Sequence, residues 1–219
     1  MTTAVVTGAD RGIGFALACQ LHSRGVTVIA GCLSPSESLE RLGVRVERLD
    51  VSSPDSVRSF AHRLEATTLD LLINNAGIAW RSTLTDLAED NMLAQFQVNA
   101  MGTVRVTAAL QPHLTDGAKI GIVTSRMGSI ADNSSGGAYG YRMSKAALNA
   151  AGVSLARDLA PRNIAVVLLH PGFVRTGMSD GKGLVGPDEA AAHLLDRIDE
   201  MTMETTGRFV HANGESLPW

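Results

Sequence analysis

"AVVTGADRGIG", residues 4–14, carries an apolar run straight into a cluster of glycines. The run is short and continuously apolar, as a strand buried on both faces requires. Gly8, Gly12 and Gly14 follow it. Glycines at such a turn permit a tight reversal and close approach of backbone to a bound pyrophosphate. They also let the next helix pack closely on the strand. The helix starting near Gly12 aims its free N–H groups at the same point. The spacing is G-x3-G-x-G, not G-x-G-x-x-G. Alone it fits a structural turn as well; its place between strand and helix gives it weight.

The same alternation runs along the chain. Residues 26–31, 44–50, 69–74, 119–124, 164–170 and 208–212 read as six further strands, rich in Val and Ile. Amphipathic stretches separate them. Ser53-Pro54 starts a helix with a cap and a Pro at the first position, and Pro187-Asp188-Glu189 starts another. Residues 87–114 form one long helix or two in series. Alternating β and α elements mean an α/β fold, a parallel sheet with helices on both faces. Ligands then belong outside the carboxyl ends of the strands. With no repeat, low-complexity tract or linker, residues 1–219 are expected to form one domain.

Composition excludes several function classes. At 45% hydrophobic and 19% charged residues the chain is an ordinary soluble protein, and at 4% aromatic its core must be aliphatic. A net charge of −3 and a pI near 6.1 give no reason to expect nucleic acid or an anionic membrane as partner. Cys19 and Cys32 are too few for a disulfide framework, and six scattered histidines lack metal-ligand spacing, so no metal is expected. No run reaches the roughly 18 apolar residues of a membrane span. "MTTAVVTGAD" has no charged region ahead of an apolar stretch, so the cytoplasm is the default location.

"GGAYGYRMSK", residues 136–145, holds both tyrosines of the chain. Tyr141 and Lys145 are four residues apart, on one face of a helix that continues through residue 159. An ammonium beside a phenol is expected to lower its pKa from near 10. Such a phenol can donate a proton to a carbonyl oxygen or take one from an alcohol. An isolated Tyr-x3-Lys is more often a surface pair; the neighbouring features decide.

"TGADRGIG", "NNAG" (74–77), Asn99, Ser125 and "YRMSK" (141–145) occur in this order. By these motifs the chain resembles the short-chain dehydrogenase/reductase family over nearly its whole length. "GSIADNSSGGAYGYRMSKAALN" and "GRFVHANGESLPW" look like the small carbonyl-reductase-like branch that includes the sniffer reductase and the bacterial C-factor. The resemblance implies a Rossmann-type doubly wound sheet in strand order 3-2-1-4-5-6-7, NAD(P) binding and an Asn–Ser–Tyr–Lys tetrad. Tyr141 would be the general acid and base. Lys145 would lower its pKa and hold the nicotinamide ribose hydroxyls. Asn99 would interrupt the long helix and hold a water beside Lys145; without the family, a mid-helix Asn bonding its own backbone is the simpler reading. Ser125 would bond the reacting oxygen. It lies sixteen residues before Tyr141, a few more than the family usually shows. Ser125 is preferred because "IVTS" ends a strand, but Ser129 stays a possible contributor. For the cofactor the resemblance implies Gly8, Asp10, Arg11, Gly12, Ile13 and Gly14 in the first turn. Asp50 and Val51 follow the third strand, Asn75, Ala76 and Gly77 the fourth, and Pro171, Gly172, Val174 and Thr176 the sixth.

NADP(H) is favoured over NAD(H). An NAD enzyme wants a carboxylate at the end of strand two, where this chain has Gly31, Cys32, Leu33 and Ser34, with Glu37 late. Arg11 supplies a positive charge near a 2′-phosphate, and Ser34 and Ser36 could donate to it. Substrate would meet Ala79-Trp80-Arg81, Met127 and a glycine-rich lid at residues 173–186, with Trp80 equally able to serve packing. The expected partner is a small carbonyl or alcohol substrate, reduced with NADPH. The competing reading is a nucleotide-binding signalling protein of C-factor type. The resemblance also implies a homodimer or homotetramer.

Overall fold

The computed structural model describes residues 2–219. The strand that opens the chain, β1 (Thr3–Thr7), becomes the centre of the sheet. The others are β2 (Thr27–Cys32), β3 (Arg45–Arg48), β4 (Leu69–Asn74), β5 (Leu114–Val123), β6 (Ala165–His170) and β7 (Phe209–His211). They form one seven-stranded sheet in the order β3-β2-β1-β4-β5-β6-β7, with every pairing parallel. This is the order the resemblance implies. Parallel neighbours need a crossover, and helices supply it: α1 (Gly12–Ser23), α2 (Glu37–Arg41), α3 (Pro54–Arg63), α4 (Glu89–Phe96), α5 (Gly102–Leu110), α6 (Tyr139–Leu159) and α7 (Pro187–Glu200).

Two cores flank the sheet because successive strand residues point to opposite faces. Ala4 and Val6 pack with Leu17 and Leu21 of α1 and Leu194 and Ile198 of α7. Val5 packs on the other side with Phe60 of α3, Val106 of α5 and Leu148 of α6. A strand serving both cores is apolar at every position, hence the unbroken run that opens the sequence. Each aliphatic side chain fully buried this way contributes about 1.5–3 kcal/mol. β3, at the sheet edge, is only partly covered.

The expected caps are present. Ser53 Oγ accepts from Ser56 N at 3.3 Å, and Pro54 and Pro187 open α3 and α7. Two boundaries differ by more than one residue from the sequence reading. β5 begins at Leu114 rather than 119, and its pairing with β4 shifts register between Leu69 and Leu71; the polar stretch 115–118 spans that irregularity and hides the strand's start. β3 ends at Arg48 because Asp50 turns the chain. The 87–114 segment is α4 and α5 in series, joined by a π-helical turn, Gln97–Met101, and closed by a 3-10 turn.

Past β7 the chain doubles back. His211 N donates to Glu215 O and Leu217 N to Phe209 O, each at 2.8 Å, and Val210 bridges Ser216 antiparallel. This return covers the outer edge of β7, which would otherwise offer unpaired main-chain groups. Among the described residues no helix is long and apolar enough to cross a membrane.

Candidate active site

The first turn is locked from two sides. Gly8 and Gly12 have φ of +64° and +56°, the left-handed region glycine tolerates. Thr7 Oγ1 accepts from the main-chain N of Asn75 and of Ala76, each at 3.0 Å. Asn75 Nδ2 donates to Thr7 O at 3.0 Å and Gly8 O at 3.1 Å. A Cβ on Gly14 would lie 2.1 Å from Gly8 O and 2.5 Å from Asn75 Nδ2. Gly14→Ala is therefore expected to destabilise the protein by about 1–3 kcal/mol or more, because the obstructing atom is backbone; urea denaturation measures it.

Across the carboxyl edge, the turn after β6 faces this cradle. A Cβ on Gly12 would meet Thr176 Cγ2 at 3.3 Å. Thr176 N donates to Ser179 Oγ at 3.1 Å, which stiffens the turn. Pro171 and Gly172 lie where β6 ends; Gly172 has φ of +85° and abuts His211. Val174 is buried, and Ile13 packs against the α1 core. Asp10 lies 3.7 Å from Arg11 Nε. Asp50 Oδ1 accepts from Ser52 N at 2.9 Å and Ser52 Oγ at 2.6 Å, so this carboxylate caps the strand end. Val51 is buried against Gly102.

On α6, Tyr141 and Lys145 share the face turned to the end of β5. Lys145 is 4% exposed, and its Nζ donates to Val123 O at 3.0 Å. The ammonium stands 5.8 Å from the centre of the Tyr141 ring. Gly77 leaves room at the same point: a Cβ there would be 3.2 Å from Asn99 Oδ1 and 3.7 Å from Lys145 Nζ.

Asn99 is fully buried in the π turn. Its Oδ1 accepts from Ile78 N at 2.8 Å, and its Nδ2 donates to Ile78 O and Ser144 Oγ, each at 2.9 Å. The carboxamide thus ties the loop after β4 to α6 and does not bond its own backbone. Such π turns recur where a side chain must be re-aimed at a site. Ser144, which the sequence reading missed, donates to Tyr141 O at 2.8 Å. Its place three residues after Tyr141 was the available signal.

Ser125 ends the β5 segment at 7% exposure and caps a short 3-10 turn, Arg126–Gly128, accepting from Met127 N at 3.1 Å. Its hydroxyl is the group that acts to lower the Tyr141 phenol's pKa. Ser129 Oγ accepts from Asp132 N at 3.0 Å instead, so of the two serines Ser125 is the one beside the phenol. A Cβ on Gly128 would be 2.7 Å from Lys145 C; the serine turn lies directly against α6.

The protonation pattern corrects one expectation. Burial pushes the Tyr141 phenol up, and the Ser125 hydrogen bond only partly offsets this. The expected lowering by Lys145 is not seen, because the amine sits over the ring and is engaged by Val123 O rather than by the phenolic oxygen. Burial draws Lys145 itself down from 10.5 to about 8. His170, at the end of β6, is drawn down to about 3 by burial and then by His211, Arg126 and Lys145; its ring meets His211 edge-on at 5.0 Å.

The rim is built from three loops. Trp80 N donates to Gln95 Oε1 at 2.9 Å, and Ala138 N donates to Ser82 O at 2.9 Å, which sets the 80–82 loop beside the start of α6. Trp80 is 43% exposed. Residues 173–186 fold back on themselves: Leu184 N donates to Phe173 O, and Arg175 Nη1 to Leu184 O at 2.6 Å. Arg11 is 87% exposed at the first turn. A cavity of about 750 Å³ at the ends of β2 and β3 is lined by Leu33, Ser34, Pro35, Glu40, Val46 and Arg48. Arg48 is a second basic group that the sequence reading did not pick out. No cluster of side chains that could hold a metal occurs among the described residues.

A parallel sheet in this order, with a glycine turn after β1 and a Tyr–Lys pair facing the end of β5, defines a dinucleotide-dependent oxidoreductase architecture. The short chain dehydrogenase family model matches residues 2–183, and the chain belongs to that family. It is 43% identical to 1-hydroxy-2-glutathionyl-2-methyl-3-butene dehydrogenase of Rhodococcus sp. (strain AD45), with both chains covered in full. It is also 43% identical to C-signal of Myxococcus xanthus, over 74% of this chain and all of that protein. Among solved structures, the carbonyl reductase Sniffer of D. melanogaster superposes with a TM-score of 0.94 at 28% identity, both chains covered in full. An NADPH-bound carbonyl reductase from chicken fatty liver gives 0.91 at 29%, covering 100% of this chain and 99% of that one.

Proposed function

We propose that this protein is an NADPH-dependent oxidoreductase that reduces aldehydes and ketones and, in reverse, oxidises alcohols, with Tyr141 as general acid and base. One observation supports the reading: Lys145 Nζ lies beside Gly77 with Asn99 Oδ1 and 5.8 Å from the centre of the Tyr141 ring, at the carboxyl edge of the sheet. The NADPH bound to the chicken liver reductase supports the choice of coenzyme.

The residues present fit the coenzyme: Gly8 and Gly12 take the left-handed φ the turn between β1 and α1 needs, and a Cβ at Gly12 would narrow the gap to Thr176 across the carboxyl edge to 3.3 Å. Gly8, Asp10, Arg11, Gly12, Ile13 and Gly14 would hold the pyrophosphate side, with Thr176 and Val174 opposite. Asp50 and Val51 would flank the adenine. Asn75, Ala76 and Gly77 would line the adenosine ribose, and Pro171 and Gly172 the nicotinamide. Bound NADPH supplies the hydride. Ser125 holds the substrate oxygen by a hydrogen bond, strongest as negative charge develops there. Tyr141 donates its proton to that oxygen in reduction and accepts one in oxidation. Lys145 would hold the ribose hydroxyls, and Asn99 fixes the loop at Ile78 against α6.

The end of β2 carries no carboxylate for a ribose 2′-hydroxyl, whereas Arg11 and Arg48 offer charge to a 2′-phosphate. Arg11→Ala is expected to weaken NADPH binding about tenfold and leave NADH binding unchanged, as the loss of one charge-assisted hydrogen bond implies. Fluorescence titration with both coenzymes measures it.

The test of the function is NADPH oxidation with a panel including para-nitrobenzaldehyde, aliphatic ketones and diketones, run on wild type and Tyr141→Phe. The reverse direction includes a glutathione-conjugated alcohol, because the full-length Rhodococcus relative is a dehydrogenase of one. Equal rates in the two proteins would remove the role of Tyr141. Tight NADPH binding with no turnover in either would favour a binding role, in keeping with the C-signal likeness. The reading places the enzyme in the cytoplasm as a homodimer or homotetramer. Assembly would use α4 and α6, whose Leu93, Phe96 and Met143 are exposed; sedimentation measures the state.

A further inference from the structure

The segment that returns along β7 ends against the loop that carries Ser125. Ala131 N donates to Trp219 O at 2.9 Å. Arg126, the residue after Ser125, lies 2.9 Å from Asp132 Oδ2 and 3.7 Å from Glu215 Oε2. The Trp219 ring stacks on Phe209, centres 5.4 Å apart and planes 25° from parallel. Leu217 is buried with Phe209 and Leu168 in a small core of its own. The turn between is also fixed: His211 Nδ1 accepts from Asn213 N, and Asn213 Oδ1 accepts from Glu215 N, each at 3.0 Å.

On its other side the serine loop is held to α6 by Arg142, which donates to Met127 O at 3.3 Å, Ser135 Oγ at 2.8 Å and Gly136 O at 3.4 Å. Residues 130–136 are all exposed. Its internal bonds are few: Asp132 N to Ser129 Oγ, and Gly136 N to Asn133 Oδ1 at 3.1 Å. An exposed ion pair alone contributes little. The main-chain bond from Ala131 and the Phe209–Trp219 stack join this loop to a buried anchor. A hydroxyl that must hold a reacting oxygen in place needs such support, since a shift of about 1 Å can cost a hundredfold in rate.

We infer that residues 209–219 form a strap that positions the Ser125 turn, with Trp219 and Arg126 as positioning residues. The inference rests on the roles proposed above for Ser125 and Tyr141. Trp219 and Arg126 lie on the β6–β7 side of the sheet, away from the glycine cradle at β1 and distinct from His211, the strap residue that abuts Gly172. Loosening the strap there should therefore impair turnover and spare coenzyme binding, which loss of the fold would not do.

The test measures kcat and KM with para-nitrobenzaldehyde and the NADPH dissociation constant by fluorescence, on the full chain. Trp219→Gly removes the stack and Trp219→Phe keeps it; Arg126→Gln removes the ion pairs and Arg126→Lys keeps a charge. Trp219→Gly is expected to lower kcat about tenfold and Arg126→Gln about threefold, with NADPH affinity held. Trp219→Phe and Arg126→Lys are expected to recover most of it. Unchanged kcat in both truncating variants would overturn the inference. So would parallel loss of kcat and NADPH affinity, or failure of Trp219→Phe to recover activity. Tyr141→Phe, run alongside, separates the two levels. Full activity there defeats the catalytic reading itself, whereas an inactive Tyr141→Phe beside wild-type rates in the truncating variants defeats only the strap.

Discussion

Tyr141→Phe is expected to lower carbonyl reduction by about a hundredfold to ten-thousandfold while leaving the NADPH dissociation constant unchanged. The substitution deletes one hydroxyl. The ring stays where α6 puts it, under the Lys145 ammonium, so packing is kept and the proton is lost. Fluorescence titration checks the first half of that statement and steady-state rates the second. Direction matters too. Burial raises the phenol above its ordinary range, so at neutral pH it carries its proton. That is the form needed to protonate a carbonyl oxygen. Alcohol oxidation needs the phenolate, so its rate should climb as pH rises from neutral into the alkaline range, while reduction should be full at neutral pH and fall in that range. A Tyr141→Phe protein that reduces para-nitrobenzaldehyde within a few-fold of wild type would mean the proton comes from elsewhere.

What could be read from the sequence was what local chemistry alone determines. β1, β2, β4 and β6 are apolar because both their faces are covered, and each was visible as an unbroken run. Ser53-Pro54 and Pro187 set helix starts by capping and fixed φ, independent of tertiary context. The glycine turn was legible because strand, glycines and helix are adjacent in the chain. The misses have a common cause: they depend on groups far apart in sequence. The π turn at Gln97–Met101 has ordinary helical composition; Asn99 is re-aimed by Ile78 and Ser144, which lie 21 and 45 residues away. The polar start of β5 is a strand only because β4 tolerates a register shift. Spacing put Lys145 next to Tyr141, but it took the carbonyl of Val123 to hold the amine over the ring and not against the oxygen. Ser125 was preferred over Ser129 because it follows a strand, and the fold adds what spacing could not: Ser129 Oγ accepts from Asp132 N, while Ser125 caps the 3-10 turn against α6.

Lys145→Met is expected to stabilise the protein at neutral pH and to lower carbonyl turnover by about a hundredfold or more. The stability half follows from linkage. Burial of Lys145, 4% exposed, draws its pKa from 10.5 to about 8. In the unfolded chain the amine keeps its proton up to about 10.5; in the folded protein it releases it above about 8. Between those values the unfolded state binds more protons, so stability rises with pH across that window, by about 3 kcal/mol in all. Below pH 8 both states are charged, and the folded protein bears the whole cost of keeping an ammonium out of water. Methionine occupies similar volume without charge. Its gain at pH 7 should thus approach about 3 kcal/mol, less about 1 kcal/mol for the lost hydrogen bond to Val123 O. The advantage over wild type should shrink from pH 8 and be gone by about 10.5. Urea denaturation at a series of pH values measures this directly. A variant less stable than wild type at pH 7, or a gap that widens with pH, would show that the buried amine is not a strained charge. If the gap behaves as expected, α6 keeps at its centre a cation that the fold alone does not favour. Such a cost is what the role proposed for Lys145 in the reaction would require the fold to bear.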